Sequence, residues 1–347
     1  MKSFETGFIE GQPVTQGLIK TIRAIGEYKG KQELFKEQAP QVLETLRQTA
    51  VIQSAEASNR IEGVIAPIER IKELIDEKTT PANRSEQEIA GYRDVLNAIH
   101  VNYAHITLTT NTPLNFHRDL YRYVGGKGSC WKALDNDIIK VNPDGTTEVR
   151  FKPVPACETP EAMENLHDRF NKLWHSERVE PLLLIQSYVL DFLCIHPFDD
   201  GNGRIARLLE LLLLYKAGFE VGRYISVEQI IERSKESYYD ALYKSSQGWH
   251  EGKHSLIPWW EYSLGVVLDA YKEFERRVGL VTTSKGAKTA MVLDAISNIH
   301  GEFSVKNLQE LCPTVGIDHI RKILRREREA GRLECLGRGP DSRWTKK

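Results

Sequence analysis

The chain has 347 residues, 41% of them hydrophobic, and this length is sufficient for two or three domains. Its formal net charge of −1 gives it no general affinity for polyanions. It has no signal-peptide pattern and no apolar span of membrane length, so we expect a soluble protein without a membrane partner. Five scattered cysteines without CxxC spacing favour a reducing, cytoplasmic location over a disulfide-bonded fold.

The N-terminal part of the chain is predicted to be helical after an irregular segment at residues 1–15. Apolar residues at three- and four-residue spacing begin near Gly17 and predict helices at 38–59 and 66–77. A Thr-Thr-Pro sequence at 79–81 then breaks the helical pattern.

The next segment contains two predicted helices and a predicted hairpin. A helix at 85–101 is expected to begin with a capping box, because Glu88 lies three residues after Ser85. A shorter helix is predicted at 113–123. Within 137–155, two β-prone runs flank an Asn-Pro-Asp-Gly turn, which predicts a β-hairpin.

Helices are predicted to continue from about 160 to 278, and a linker at 284–286 precedes a separate C-terminal unit. Residues 286–347 hold 12 Lys/Arg and 8 Asp/Glu, whereas the rest of the chain holds 35 and 40, so a basic unit follows an acidic body. Three helices followed by strand, turn and strand are typical of a winged helix-turn-helix. The predicted helices lie at 288–299, 304–311 and 317–330.

The last of these helices is the most basic segment of the chain. Its density of basic residues suits contacts with DNA phosphates, although such modules also bind proteins and a charged helix is often only a solvated face. The basic residues are Arg321, Lys322, Arg325, Arg326 and Arg328. The sequence thus predicts an N-terminal helical region at 1–105, a core at 106–280 and a winged helix at 286–347.

The most informative stretch is 196–207, which reads His-Pro-Phe-Asp-Asp-Gly-Asn-Gly-Arg-Ile-Ala-Arg. It lies between two apolar segments, 182–195 and 208–214, which we expect to be buried. If a helix begins near Asn202 or Gly203, its first N–H groups and the positive end of its dipole favour a bound phosphate.

The side chains of this stretch also suit phosphate chemistry. Arg204 and Arg207 are three residues apart, so we expect both to reach phosphates through forked contacts. Asp200 precedes the glycines and is a candidate ligand of Mg²⁺. His196 is placed to accept a proton from an attacking hydroxyl. The residues alone therefore predict a polyphosphate site with a metal ligand and a base.

Residues 196–207 resemble the HPFx(D/E)GNGRxxR signature of the Fic domain family at every defined position. The resemblance implies a mainly α-helical Fic-type bundle that moves AMP from ATP to a Ser, Thr or Tyr hydroxyl of a protein and releases pyrophosphate. It also implies that His196 is the general base, that Asp200 binds Mg²⁺ and that Phe198 anchors the core.

The resemblance assigns the nucleotide to the start of the following helix. The backbone of 201–203 and the Asn202 side chain would bind the α- and β-phosphates, Arg204 the β-phosphate and Arg207 the γ-phosphate. Glycines at 201 and 203 favour AMP transfer over the phosphate transfer of Doc-type relatives, in which other residues replace them. The nucleotide-binding residues implied are Gly201, Asn202, Gly203, Arg204, Ile205, Ala206, Arg207 and Tyr238.

A second motif, Ser-Asn-Arg-Ile-Glu-Gly at 58–63, is similar to the (S/T)xxxE(G/N) inhibitory motif of Fic relatives. The resemblance implies that Glu62 pairs with Arg207 and blocks productive placement of the γ-phosphate. A guanidinium cannot make its best bidentate pair with a carboxylate and a phosphate at once. Ser58 lies four residues before Glu62, on the same helical face. We therefore expect a chain that inhibits itself.

Further assignments come from the same resemblance. The hairpin corresponds to the Fic flap, which would align a target segment by strand-like pairing; otherwise it is a simple surface hairpin. Lys132 stands where many relatives carry Arg, which leaves that position without an assigned role. Tyr238 would contact the adenosine, with Tyr239 as the second candidate. The alternative is that both tyrosines only pack in the core.

Several alternatives remain open at this level. The same site supports removal of AMP in some relatives, and the chain could instead regulate transcription while sensing a nucleotide. The expected partners are a target protein with an acceptor hydroxyl, which could be the chain itself, a second copy of the chain in a homodimer, and DNA bound through 286–347.

Overall fold

The computed structural model describes residues 2–38, 40–125, 128–141, 145–282, 287–299, 301–312, 315–337 and 342–346. The fold is mainly α-helical with two small antiparallel sheets, as the sequence predicted. Across these ranges, no helix combines the length and the apolar character needed to cross a bilayer.

The N-terminal region consists of four helices, and the predicted helical segments match them to within a few residues. The chain makes turns before the first helix, where the sequence predicted irregular structure. The helices are α1 (Gln16–Gln38), α2 (Pro40–Ile61), α3 (Ile68–Ile75) and α4 (Arg84–Asn102).

The capping box predicted at Ser85 is wrong. Helix α4 starts one residue earlier than predicted, and its N-cap is Asn83, whose side chain accepts a hydrogen bond of 3.0 Å from the Glu86 N–H. Asparagine caps a helix as well as serine does, so local preference could not decide between the two positions. Glu88 is also engaged elsewhere, because its carboxylate contacts Arg84 and Arg204.

The core of the body is built around two consecutive helices, α7 (Pro181–Ile195) and α8 (Asn202–Lys216). Every residue of α7 from Leu182 onward is buried, since α6, α8, α10 and α11 pack around it. A helix that is apolar on all sides is expected to be surrounded in this way. Both predicted apolar segments are therefore buried helices, and the short turn between them carries the motif.

Further helices and a hairpin surround this pair. The hairpin consists of β1 (Ile138–Val141) and β2 (Thr147–Phe151), in which Ile139 pairs with Val149. The first three of the four residues of the predicted turn, 142–144, lie outside the described residues. The helices are α5 (Asn111–Leu120), α6 (Thr159–Ser176), α9 (Val227–Arg233), α10 (Lys235–Ser246) and α11 (Ile257–Thr282).

The C-terminal unit has its own hydrophobic core, which includes Val292, Leu308, Ile320, Leu324 and Trp344. Its three helices and its last two strands occur where the sequence predicted them, while the predicted linker 284–286 lies outside the described residues. An additional two-residue strand was not predicted, because two residues are too few to show a period. The elements are α12 (Ala287–Asn298), β3 (Phe303–Ser304), α13 (Val305–Leu311), α14 (Ile317–Glu329), β4 (Leu333–Cys335) and β5 (Arg343–Lys346).

These strands form a sheet in the order β3-β5-β4. Helix α13 starts with a capping box, in which the Ser304 side chain accepts a hydrogen bond from the Asn307 N–H at 3.1 Å. The classification of this unit as a winged helix stays a prediction.

The observed cap of α4 can be tested by substitution. Asn83→Ala removes the acceptor for the Glu86 N–H and should lower the free energy of unfolding by about 1 kcal/mol. Urea denaturation followed by far-UV circular dichroism measures this change. Ser85→Ala is the matched control and should change the free energy by no more than about 0.5 kcal/mol. The reverse order of effects would restore the predicted capping box.

Candidate active site

The turn between α7 and α8 has a conformation that few residue types tolerate. His196 ends α7 with φ 51° and ψ 62°, and its N–H donates to the Phe192 carbonyl at 2.9 Å. Gly201 precedes α8 with φ 84°, and a Cβ at this position would lie 3.1 Å from the Tyr121 ring. Both the positive φ and the close ring favour glycine here. The motif is thus a tight link between two buried helices.

The interior of this turn is held by Asn202. Its side-chain oxygen accepts a hydrogen bond from the Phe198 N–H at 2.9 Å, and its side-chain nitrogen donates to the Phe198 carbonyl at 2.7 Å. The Phe198 ring is fully buried and stacks on His117 with centroids 4.0 Å apart, in agreement with its predicted role as a core anchor. The sequence assigned the Asn202 side chain to a phosphate, but the structure uses that side chain to close the turn.

Lys132 holds the turn from the other side, which the sequence did not predict. Its backbone N–H donates to the Pro197 carbonyl at 2.8 Å, and its ammonium group donates to the Ile195 carbonyl at 3.2 Å. The Lys132 side chain therefore contacts the residue before His196, and its backbone contacts the residue after it. Lys132 is 3% exposed, so burial lowers its pKa. The sequence marked Lys132 only as the residue that stands where many Fic relatives carry an arginine.

His196 faces the interior of a cleft and is neutral at ordinary pH. Burial is the main cause that lowers the pKa of His196 to about 4, and the positive charge of Lys132 lowers it further. A neutral imidazole keeps a lone pair on one ring nitrogen, so it can accept a proton from a hydroxyl.

Arg207 is almost completely buried and is bound by the two residues that the inhibitory motif pointed to. Its Nε donates to the Ser58 hydroxyl at 2.9 Å, and its Nη2 donates to the Ser58 carbonyl at 2.9 Å and to Glu62 Oε1 at 2.8 Å. Its Nη1 is buried and makes no hydrogen bond to any described residue. The predicted contact between Glu62 and Arg207 is therefore present, and one donor group of the guanidinium is still available.

The Glu62 carboxylate lies directly against the start of α8. A Cβ added to Gly203 would collide with Glu62 Oε1 and would lie 3.2 Å from Arg207 Nη1. The first turn of a helix has unpaired N–H groups and the positive end of the helix dipole, which favour an anion. The Glu62 carboxylate therefore lies where the sequence predicted a phosphate.

The Arg204 guanidinium has different hydrogen-bond partners from the Arg207 guanidinium. It is fully buried, and its guanidinium donates to Asn59 at 3.1 Å, to Glu88 at 2.5 Å and to the Tyr121 hydroxyl at 2.7 Å. All three partners come from other helices or turns, so the sequence did not predict them. Both arginines were expected to reach phosphates, Arg204 the β-phosphate and Arg207 the γ-phosphate, but the structure orients them toward different protein partners.

Two other residues of the predicted phosphate site lie inside the core. Ile205 is fully buried and Ala206 is 1% exposed, so their side chains do not line the cleft. The Ile205 N–H also donates to the Gly201 carbonyl at 2.9 Å, as part of the start of α8.

Asp200 is one of two exposed carboxylates of the turn, beside Asp199, and 58% of its side chain is accessible. Burial disfavours its charged form, but the charge of Arg204, whose Nη2 lies 3.7 Å from the carboxylate, contributes to a lowered pKa. In the described part of the chain, no group of three or more His, Cys, Asp or Glu residues is arranged to hold a metal ion. Mg²⁺ commonly binds through one or two carboxylates, phosphate oxygens and water, so Asp200 fits that ion when a nucleotide is bound.

The cleft beside His196 has a volume of about 390 Å³ and lies between the β1–β2 hairpin and α10. Glu62 and Gly203 line one end of it. Tyr238 and Tyr239 both line the wall, and their rings pack edge-to-face at 5.2 Å. Because Tyr238 is also 4% exposed and packs on Trp259, it both lines the cleft and packs in the core.

The hairpin is attached to α10 by a residue that the sequence did not single out. Arg150 of β2 donates to the Tyr239 carbonyl, and its guanidinium lies 5.5 Å from the Tyr239 ring centroid and 5.3 Å from that of Tyr243. These contacts hold the hairpin across the opening of the cleft.

The electrostatic role of Lys132 can be measured directly. In Lys132→Met, the pKa of His196 should rise above its value of about 4, because the nearby positive charge that disfavours the imidazolium is lost. Histidine resonances in an NMR titration report this pKa, with His196→Ala for assignment and Lys172→Met as an exposed-lysine control. A His196 pKa near the ordinary ~6.5 in the unaltered chain would contradict the effect of burial.

Comparison with known proteins agrees with this architecture. Residues 107–214 match the model of the Fic/DOC family. A Fido domain-containing protein of Dictyostelium discoideum is 35% identical over 65 residues, and the matched region covers 18% of this chain and 46% of that protein. The match thus spans less than half of that relative's length.

Solved structures show the same fold at low identity. A Fic family protein from Desulfovibrio desulfuricans has a TM-score of 0.62 and 23% identity, with 96% of this chain and 97% of that one covered. A Fic domain-containing signaling protein from Bacteroides thetaiotaomicron has a TM-score of 0.62 and 20% identity, with 74% and 97% covered. Fic-1 from C. elegans has a TM-score of 0.60 and 17% identity, with 77% and 74% covered. Residues 107–214 thus resemble the Fic/DOC family, and the fold is that of these Fic proteins.

Proposed function

We propose that this chain is a protein adenylyltransferase, which moves AMP from ATP to a hydroxyl of a protein side chain and is inhibited by Glu62. The observation that carries the proposal is the position of the Glu62 carboxylate. It lies against Gly203 at the start of α8 and is bound to Arg207, beside the cleft that contains His196.

The Glu62 carboxylate lies where a bound anion is expected, so the protein itself fills the proposed phosphate site. Carboxylate and phosphate oxygens accept the same forked hydrogen bonds from a guanidinium, so the two compete for Arg207. The unpaired Nη1 of Arg207 supports the assignment, because a buried donor without a partner is costly unless a ligand satisfies it. Departure of Glu62 would free one N–H of Arg207 Nη2, the other being bound to the Ser58 carbonyl, and would free the first turn of α8 for the phosphates of ATP.

The groups around the cleft suit attack on the α-phosphorus. The acceptor hydroxyl gives its proton to neutral His196 as its oxygen forms a bond to that phosphorus. The bond from the α-phosphorus to the bridging oxygen breaks, and pyrophosphate leaves with its electron pair. The N–H groups at the start of α8, together with Arg207, stabilise the charge on the phosphate oxygens.

Asp200 is the residue that would hold Mg²⁺, which when bound neutralises charge on the phosphates. Lys132 and Asn202 act on the backbone of the turn, so they keep His196 and the start of α8 in fixed positions. Tyr238 and Tyr239 form the wall that the adenosine would contact.

The β1–β2 hairpin is the element that would align the acceptor protein. It lies across the cleft from α10, and a strand of an acceptor can add to an exposed strand edge through backbone hydrogen bonds. The acceptor is a protein with a Ser, Thr or Tyr hydroxyl, which could belong to a second copy of this chain.

Removal of the inhibitory carboxylate should raise the rate of AMP transfer. Hydrogen bonds to charged groups contribute about 1.5–3 kcal/mol, so Glu62→Gly should increase the rate roughly 10- to 100-fold. The measurement is transfer of label to protein from ATP labelled at the α-phosphate, with ATP labelled at the γ-phosphate in a parallel reaction.

The control for this experiment is Glu69→Gly, which removes an exposed glutamate of α3 and should leave the rate unchanged. An unchanged rate in Glu62→Gly would contradict the assignment of Glu62 as an inhibitory residue. Label that comes from the γ-phosphate instead would identify phosphate transfer and reject AMP as the group.

The imidazole should be needed for chemistry but not for binding. His196→Ala in the Glu62→Gly background should lower transfer by about 10²–10⁴-fold, the usual contribution of a general base. Calorimetric titration with MgATP should show an affinity within a few-fold of the parent, because the phosphate contacts come from α8. Full activity of the double variant would exclude His196 as the base.

A further inference from the structure

Helix α14 of the C-terminal unit presents a free surface to solvent. Its buried face consists of Ile320, Ile323, Leu324 and Glu327, and it packs on α12, α13 and β4. Glu327 is held within the unit by Arg332, with contacts of 2.5 and 3.0 Å. The opposite face of α14 is exposed along the described length of the helix.

The exposed face of α14 is basic. Helical spacing places Arg321, Arg325 and Arg328 in one row, with Lys322 beside them. The side chains of Lys322, Arg325 and Arg328 make no ion pair or hydrogen bond to any residue that the structure describes. The Arg321 contact with Asp318 is 3.4 Å long, and both side chains are exposed. Internal ion pairing therefore does not account for this row of charges.

We propose that α14 binds double-stranded DNA, with its exposed face in the major groove and its basic side chains on the phosphates. An α-helix fits the width of the major groove, and lysine and arginine side chains neutralise the phosphates on either side. The β4–β5 hairpin follows α14 directly. Arg343 on β5 is exposed and has only a long contact of 3.7 Å with the exposed Glu302, so it would serve as a further phosphate contact. Three helices with a hairpin after the third match the winged helix-turn-helix geometry.

Charge and composition favour duplex DNA over other polyanions. The unit at 286–347 has a net charge of +4 and the rest of the chain −5, so net charge favours the binding of a long polyanion by this unit over the body. The described part of the exposed α14 face has no aromatic side chain on which single-stranded bases could stack. It also has no apolar stripe that could enter a lipid surface, since its large apolar residues other than Ile317 are buried.

The experiment uses the full chain without nucleotide, so its outcome is independent of AMP transfer. Fluorescence anisotropy measures binding to labelled duplexes of about 20 base pairs, which provide two helical turns, at salt concentrations from about 50 to 200 mM. Two duplexes of unrelated sequence, a single-stranded oligonucleotide and vesicles containing phosphatidylserine are compared.

The test variant is Lys322→Gln/Arg325→Gln, and the matched control is Lys172→Gln/Arg178→Gln, which removes two exposed charges from the body. The test variant should weaken duplex binding about tenfold or more and reduce the slope of log K against log salt by about 2. The control should bind as the unaltered chain does. Arg325→Lys keeps the charge and should retain most of the affinity, while circular dichroism confirms that α14 is intact.

Four results would overturn the proposal. They are the absence of duplex binding at low salt, equal losses in the test and control variants, unchanged binding in the test variant, and stronger binding to single strands or vesicles than to duplex DNA. The last result would assign the basic face to a different polyanion, and the first would leave an acidic protein surface as its partner.

Discussion

The buried guanidinium of Arg207 is the constraint on which the candidate site depends. A charge with 3% of its side chain exposed needs an anion and a full set of acceptors, because burial without them is costly. Ser58 and Glu62 provide three acceptors and leave Nη1 unpaired. The guanidinium thus keeps one unpaired donor group, and the proposed replacement of Glu62 by a phosphate would give that donor an acceptor.

The two arginines of the motif pair with glutamates that differ in exposure. Glu88, the partner of Arg204, is 4% exposed and lies within α4, where packing on both sides holds it. Glu62, the partner of Arg207, is 28% exposed and follows the last residue of α2. The structure therefore combines a buried ion pair, which supports the turn, with a more exposed one at the start of α8, and the proposed function requires that only the second one separates.

The turn itself is kept rigid by contacts from several elements. Lys132 holds the backbone around His196, and Asn202 closes the loop on Phe198. The positive φ of Gly201 and the close Tyr121 ring together favour glycine at that position. In the proposed reaction, a base and a helix N-terminus held in this way would need little reorganisation when substrate binds, and such preorganisation is the main source of electrostatic catalysis. The basic unit at the C-terminus lies outside this arrangement, so the proposed DNA contact and the proposed transfer use different parts of the chain.

The sequence by itself determined the helical segments, the buried pair α7 and α8 and the turn between them. The contact of Glu62 with Arg207 was expected only from the resemblance to the Fic family, because the two residues lie in different parts of the chain. Apolar periodicity and short motifs are local features of the sequence, so they can be recognised without the tertiary structure. Only the tertiary structure decided that Asn83 caps α4, that Lys132 supports His196, that the Asn202 side chain faces inward and that Arg204 is bound by Glu88. Each of these depends on contacts between residues far apart in the chain, or on a choice between local options of nearly equal energy, which no single segment of sequence specifies.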